Sequence, residues 1–185
     1  MRQLRSFTSI SLDGFFTDAK NDMTWAHKHD DEWNAFTSSN AGGDGALLFG
    51  RVTYEMMKAF WPTPQAARML PDVATAMNAM PKYVASRTLD AADWQNTTVL
   101  NGDLVAQVQA LKATDGPDLD ILGSGSIVSQ LTEARLIDEC QLVLIPIVLG
   151  KGRTPFQTLS DPRTFAVKKT KSFKNGNVLL WYEPA

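Results

Sequence analysis

Residues 119–131 have the sequence LDILGSGSIVSQL, which joins a short apolar strand, a turn of small residues and a helix without a linker. The strand is predicted over residues 119–122. The helix is predicted over residues 127–135, with Val128 and Leu131 on its inward side. A strand that leads directly into a helix is the unit from which parallel sheets are built. This stretch therefore predicts an α/β fold.

The same alternation of strands and helices covers the first two thirds of the chain. On one of these helices, Val52, Met56 and Met57, and Phe60 recur at helical spacing, so we expect them to face the core. The predicted strands are residues 4–10, 46–49, 82–86 and 97–100, and the predicted helices begin near Glu32, Val52, Asp72 and Asp103.

The last third of the chain changes to antiparallel strands. Residues 137–149 and 165–173 are rich in strand-forming residues, and Asn175-Gly176 is a strong hairpin signal before a final strand at 178–182. We find no repeat or linker, and we expect one domain over residues 1–185. The predicted fold class is α/β, with three α-β-α layers, a mostly parallel central sheet and an antiparallel C-terminal hairpin.

Composition excludes several classes of partner. The 185 residues carry 18 basic and 20 acidic side chains, so no strong field of one sign is available for nucleic acid or an anionic membrane. The single cysteine, Cys140, has no partner for an internal disulfide. No apolar run approaches the roughly 20 residues of a membrane-spanning helix, and no signal peptide is evident. We therefore expect a cytoplasmic protein without nucleic-acid or membrane partners.

Three predicted strand ends carry residues suited to phosphate. The turn Gly123–Ile127 places small residues and serine hydroxyls at a helix start, where free N–H groups favour an anion. Gly50, Arg51 and Thr53 follow a second strand, and Ser86 and Arg87 follow a third. Because ligands of open α/β sheets bind at the carboxyl ends of the strands, an extended multi-phosphate ligand could use all three.

Simpler explanations apply to each group separately. For the glycine turn, the simpler explanation is close packing of a strand against a helix. Arg51 could pair with Glu55, four residues further along the same helix, instead of binding an anion. Ser86-Arg87 could be a polar loop.

In order along the chain, these motifs resemble dihydrofolate reductase-like proteins. The C-terminal part is more similar to the reductase domain of bacterial riboflavin biosynthesis proteins, in which Pro-x-x-Leu-Gly-x-Gly-x-x-x-Phe precedes a closing hairpin. The opening Ser11-Leu12-Asp13-Gly14 also resembles that group. The C-terminal motif is matched here by Pro146, Leu149, Gly150, Gly152 and Phe156.

The resemblance implies that the cofactor is NADPH. In dihydrofolate reductase the matching turn contains a cis Gly-Gly bond, so the Gly123-Ser124 bond is either cis and strained, or trans in a different turn. The implied cofactor-binding residues are Gly50, Arg51 and Thr53 for the phosphates, Ser86 and Arg87 for the 2′-phosphate, and Gly123, Ser124, Gly125, Ser126 and Ile127 around the pyrophosphate.

The resemblance also implies two catalytic candidates, Trp25 and Asp30, which resemble the loop tryptophan and the helix carboxylate of dihydrofolate reductase. The apolar stretch between them is replaced by Ala-His-Lys-His, and the Thr-Val-x-x-Asp-x-Pro motif of riboflavin-pathway reductases is missing. His27 and His29 are spaced for a metal but lack a third ligand, so no metal site is expected.

These observations predict an NADPH-dependent reductase that transfers hydride to a small planar heterocycle, either a pterin or folate or a riboflavin-pathway-like compound. The absent substrate motifs leave an alternative of a different class: a non-catalytic protein that binds a nucleotide or small molecule. By analogy with the family, the C-terminal strands could form a homodimer.

Overall fold

The computed structural model describes residues 1–28, 30–41 and 43–185. Its strands are β1 (Leu4–Ser11), β2 (Thr17–Asp18), β3 (Ala46–Gly50), β4 (Lys82–Ala85), β5 (Thr97–Leu100), β6 (Leu119–Leu122), β7 (Glu139–Ile145), β8 (Gly152–Arg153), β9 (Phe165–Ser172) and β10 (Val178–Pro184). Its α-helices are α1 (Asp31–Ala41), α2 (Arg51–Phe60), α3 (Pro64–Met69), α4 (Pro71–Ala79), α5 (Leu104–Ala113) and α6 (Gly125–Glu133), and a 3₁₀ helix spans Thr24–Ala26.

The main sheet has eight strands in the order β5-β4-β3-β6-β1-β7-β10-β9. The first six are parallel. β10 pairs antiparallel with β7, and β9 pairs antiparallel with β10 and forms one edge of the sheet. A small second ladder pairs β2 with β8. The prediction of a mostly parallel sheet with an antiparallel C-terminal hairpin is confirmed.

The helices lie on both faces of this sheet because alternate strand residues point to opposite sides. On one face, Leu48 and Ile121 pack with Leu131 of α6. On the other face, Phe49 and Val84 are packed with residues of α2 and α4, and Trp33 of α1 packs near β7. Each fully buried side chain of this size contributes about 1.5–3 kcal/mol. The predicted three layers are therefore observed.

The topology places a ligand crevice between β3 and β6. These parallel strands are neighbours, and the chain leaves β3 toward β4 on one side and leaves β6 toward β7 on the other. Connections that diverge from adjacent parallel strands open a crevice at their carboxyl ends, where α/β folds bind their ligands. All three strand ends singled out in the sequence lie at this edge of the sheet.

One helix presents a different face from the one predicted. In α2, Tyr54 is buried and Met57 packs against the same cluster, whereas Val52 is 72% and Met56 54% exposed. The Tyr54 hydroxyl accepts the N–H of Trp94 at 3.1 Å. This hydrogen bond holds the Tyr54 face of α2 toward the core. The expectation of a core-facing side chain is confirmed for Met57 and wrong for Val52 and Met56, because the apolar residues of α2 are spread over more than one face.

The segment after α2 also contains a helix that was not predicted. Pro64 occupies the first turn of α3, and the Thr63 hydroxyl accepts the N–H of Ala66 at 3.2 Å. Proline is tolerated at this position because its missing N–H would have no helical partner. The prolines that end α2 thus also begin α3. In the described ranges, no helix has the length and apolar character needed to cross a bilayer.

Candidate functional site

The turn between β6 and α6 is held in an unusual conformation by one serine. Gly123 and Ser124 have φ values of 58° and 55°, and the peptide bond between them is trans. The Ser124 hydroxyl accepts the N–H of Gly50 at 3.0 Å and donates to the Leu122 carbonyl at 3.2 Å. These bonds offset the strain of a left-handed non-glycine residue. Of the two conformations left open by the sequence, the trans turn is observed.

This turn presents free donors at the start of α6. In the described part of the chain, the N–H groups of Ser124, Gly125 and Ser126 donate to no other group. The first N–H groups of a helix have no internal acceptor and carry the positive end of its dipole. The turn is therefore chemically suited to a phosphate.

The structure brings most of the predicted phosphate residues together. A Cβ atom on Gly50 would lie 3.3 Å from Ile127, and one on Gly123 would lie 3.8 Å from the Thr53 side chain. Together with the Gly50–Ser124 hydrogen bond, these contacts join the ends of β3 and β6 into one surface. Ser126 is exposed on the first turn of α6 beside it.

Arg51 forms an ion pair with Glu55, which was the alternative to phosphate binding that the sequence left open. Its guanidinium lies 2.9 Å from the Glu55 carboxylate, and both side chains are about half exposed, at 46% and 50%. Exposed ion pairs of this kind contribute about 0–1 kcal/mol, so a stronger anionic partner could displace Glu55. A phosphate-binding role for Arg51 stays a prediction.

Ser86 and Arg87 lie beside this surface, at the end of β4. The Ser86 hydroxyl accepts the N–H groups of Thr88 and Leu89, at 3.2 and 3.0 Å, and stabilises the turn. Arg87 is exposed, and no hydrogen bond or ion pair of its guanidinium is present among the described residues. Because β4 pairs directly with β3, Arg87 extends the row of candidate phosphate ligands by one strand.

An aromatic side chain that the sequence did not single out covers the glycine turn. Phe16 is buried, and a Cβ on Gly125 would lie 2.5 Å from its ring. The Arg153 guanidinium lies over the same ring, 5.6 Å from its centre. Arg153 is exposed at the same edge of the sheet, so its guanidinium places a positive charge near the glycine turn.

The cover consists of two loops, residues 12–18 and 147–153, which are joined by Asp13. Its carboxylate accepts the Ser11 hydroxyl at 2.6 Å and the N–H groups of Leu149 and Gly150, at 3.1 and 2.7 Å. These bonds, the Ser11 hydroxyl first, lower the pKa of Asp13 to about 2. The Ser-Leu-Asp-Gly motif of the first loop and the Leu-Gly motif of the second loop are therefore joined by hydrogen bonds to the Asp13 carboxylate.

Gly152 is needed where the two loops pair as β2 and β8. A Cβ atom at this position would lie 1.9 Å from the Thr17 carbonyl oxygen. No side chain could fit without separating the strands. The Gly-x-Gly spacing of the C-terminal motif thus has a local structural reason.

The two catalytic candidates lie in a separate neighbourhood of the same edge. Trp25 packs against a cluster that contains Trp33, Ile145 and Phe173, and its indole N–H donates to the Asp22 carbonyl at 3.1 Å. Asp30 caps α1, because its Oδ1 accepts the Trp33 N–H at 3.0 Å. The catalytic roles of Trp25 and Asp30 stay predictions.

The described residues contain no group of three or more His, Cys, Asp or Glu side chains placed to hold a metal ion. His29 lies outside them, so the pairing of His27 with His29 is not described.

Comparisons with known proteins agree with this architecture. A family profile described as the RibD C-terminal domain matches residues 2–179. Two Bacillus subtilis proteins, the uncharacterised YyaP and YwjB, are each 25% identical to this chain. The alignments cover 94% and 90% of this chain, respectively, and 90% of each relative.

Solved structures share the fold at lower identity. A Shewanella sp. PV-4 protein assigned to riboflavin biosynthesis is 23% identical with a TM-score of 0.76, covering 99% of both chains. A Corynebacterium diphtheriae pyrimidine reductase-like protein is 14% identical with a TM-score of 0.67, covering 100% of this chain and 92% of that one. A Thermotoga maritima diaminohydroxyphosphoribosylaminopyrimidine deaminase/5-amino-6-(5-phosphoribosylamino)uracil reductase is 16% identical with a TM-score of 0.71, covering 100% and 57%. The predicted resemblance to riboflavin reductase-like proteins of the dihydrofolate reductase-like fold is confirmed.

Proposed function

The chain belongs to the RibD C-terminal domain family, and from this premise we propose that it is an NADPH-dependent reductase acting on a small planar heterocycle. Membership in the family supports a reductase-type role. The proposal adds the choice of NADPH as cofactor and the class of acceptor. The acceptor is either a pterin or folate or a riboflavin-pathway-like compound.

The continuous row of anion-suited groups along three adjacent strand ends carries this proposal. It runs from Arg87 on β4 through Gly50 on β3 to the free N–H groups after β6. Beyond β6 the same edge continues to Trp25 and Asp30 above β1 and β7. A dinucleotide has the length and the spaced phosphates to follow such a row, with its reactive ring at the far end.

The residues at that far end have the chemistry that a hydride transfer needs from a protein. The bound dinucleotide would supply the hydride. Asp30 uses Oδ1 for the helix cap, which leaves Oδ2 to hydrogen-bond the acceptor and orient it. Trp25 is partly buried and offers an apolar surface against which a flat ring could pack.

Arg87→Ala tests the assignment of the 2′-phosphate. We expect the variant to bind NADPH roughly 10- to 100-fold more weakly, because a charge-assisted hydrogen bond contributes about 1.5–3 kcal/mol. Its affinity for NADH, which lacks this phosphate, should not change. Calorimetric titration of both nucleotides measures the difference, and Arg68→Ala on the exposed side of α3 is the matched control. Equal losses for both nucleotides would remove Arg87 from this role.

A non-catalytic binding protein is the second candidate, favoured because both substrate motifs, the apolar stretch after Trp25 and Thr-Val-x-x-Asp-x-Pro, are missing from the sequence. The two functions are separated by following the absorbance of NADPH in the presence of dihydropterin, dihydrofolate and aminopyrimidine acceptors. Oxidation that requires both the protein and one acceptor supports the reductase. Tight binding of NADPH with no oxidation by any of these acceptors would favour the binding protein.

We also propose that a second copy covers an open face of the sheet. Ile10, Leu144 and Val178 are register neighbours across β1, β7 and β10, and Leu142 pairs with Leu180 on the same face. All five apolar side chains are only partly buried. Such a patch is typical of an interface.

Leu142→Glu should convert a dimer to a monomer, because the new carboxylate would be buried without a partner in the interface. Light scattering coupled to size exclusion measures the molar mass. The control is Met69→Glu, since Met69 is exposed on α3 away from this face. A monomeric unmodified protein, or a dimer that survives Leu142→Glu, would contradict the proposal.

A further inference from the structure

A cavity of about 250 Å³ lies at the edge of the sheet opposite the candidate active site. It sits where α6 ends, β7 and β9 begin and β10 finishes. The volume is below the roughly 300–1,000 Å³ of sites for drug-sized ligands, so its occupant would be small. The lining residues are Thr132, Arg135, Ile137, Pro162, Arg163, Thr164, Phe165, Pro184 and Ala185.

Two buried donors of this lining have no hydrogen-bond partner among the residues that the structure describes. Thr132 is 3% exposed and its hydroxyl is unpaired, and the Nε–H of Arg163 is unpaired as well. The other Arg163 nitrogens are engaged with the Glu133 carboxylate and with backbone carbonyls, which holds the guanidinium in place. Unpaired buried donors are rare in proteins, and here both belong to residues that line one cavity.

Arg135 supplies an uncommitted cation beside these donors. It is exposed, and no hydrogen bond or ion pair of its side chain is present in the described ranges. Its φ of 57° is left-handed, at the position after a helix where glycine is usual. The folded protein is therefore less stable with an arginine at this position than it would be with a glycine.

The charge and the walls of the cavity define its occupant. Arg163 is paired with the Glu133 carboxylate at 3.2 Å, whereas Arg135 forms no ion pair with a carboxylate of the described residues. The Arg135 guanidinium is therefore free to pair with a monoanion. Ile137, Phe165 and the prolines form apolar walls. We propose that this cavity binds a small carboxylic acid with an apolar body, its carboxylate between Arg135 and Thr132.

Sodium benzoate is the probe that tests the site. In ¹⁵N-labelled protein, benzoate should shift the amide signals of Thr132, Arg135 and Arg163 saturably at low millimolar concentration or below. The uncharged benzamide should bind at least about tenfold more weakly. Arg135→Gly should also reduce the benzoate affinity by about tenfold or more, while raising the thermal unfolding midpoint because the left-handed residue becomes glycine.

Arg87→Ala is the matched control, since it removes an exposed arginine at the opposite edge and should leave benzoate binding unchanged. Equal binding of benzoate and benzamide, or unchanged benzoate affinity in Arg135→Gly, would overturn the proposal. A lower unfolding midpoint in Arg135→Gly would mean that Arg135 serves an internal partner such as the Ala185 carboxylate, and would overturn it too.

Discussion

Asp13→Asn is expected to slow NADPH oxidation by about 100-fold, although Asp13 is not proposed to touch the acceptor. The carboxylate accepts hydrogen bonds from both Leu149 and Gly150. An asparagine retains one acceptor oxygen and turns an NH₂ group toward one of these N–H donors. The loops at 12–18 and 147–153 should then separate, so that Phe16 no longer holds the glycine turn. Steady-state kinetics measures the loss.

The pH dependence of stability provides a second readout for the same variant. The pKa of Asp13 is lowered from 3.8 to about 2, so its contribution is complete above about pH 4 and is lost as the pH falls toward 2. Unmodified protein should therefore lose more stability than Asp13→Asn over this interval, measured by urea unfolding.

Asp18→Asn is the matched control, because the Asp18 carboxylate bonds only N–H groups of its own turn. It should leave the rate of NADPH oxidation within about twofold of the unmodified value, in keeping with a surface substitution. If Asp13→Asn were equally mild, Asp13 would not position the site.

Gly125→Ala should disrupt the turn itself. The new methyl group would lie 2.5–2.6 Å from the Phe16 ring, which is buried. Overpacking of this kind destabilises by about 1–3 kcal/mol. Displacement of the turn should also weaken NADPH binding by roughly tenfold or more, because its free N–H groups move. Urea unfolding and a nucleotide titration measure the two effects.

A double substitution tests whether the contact between Phe16 and residue 125 causes the loss of stability. Phe16→Leu shortens the opposing side chain, so Gly125→Ala combined with Phe16→Leu should be more stable than the sum of the single effects. Gly43→Ala is the control, since its Cβ would meet only the Asn40 carbonyl oxygen at 3.5 Å. Strict additivity of the two site substitutions would show that the Phe16–Gly125 contact is not responsible.

The strand–turn–helix units were predictable because their signals are local. Apolar runs end directly at Gly50 and Gly123, and each element is short enough for its periodicity to be recognised. The cap by Asp103 was predictable for the same reason, since its carboxylate accepts the N–H of Ala106, three residues away.

The cover of the glycine turn was not predictable from local pattern. Asp13 and Gly150 are 137 residues apart, and an Asp-Gly pair on its own indicates only a turn. Phe16 resembles any apolar loop residue until its ring is placed over Gly125. The inward face of α2 could not be chosen either, because Val52 and Met56 fit the helical spacing as well as Met57 does. The contact of Tyr54 with Trp94, 40 residues away, selects the face.

The central claim is that the carboxyl edge of the sheet binds NADPH. Its most direct test is a titration of the unmodified protein with NADPH and with NADH, followed by the tryptophan fluorescence. We predict saturable binding of NADPH in the micromolar range, with NADH bound at least about tenfold more weakly because Arg87 would lose its phosphate partner. No saturable binding of NADPH up to millimolar concentration, or equal affinity for the two nucleotides, would contradict the account.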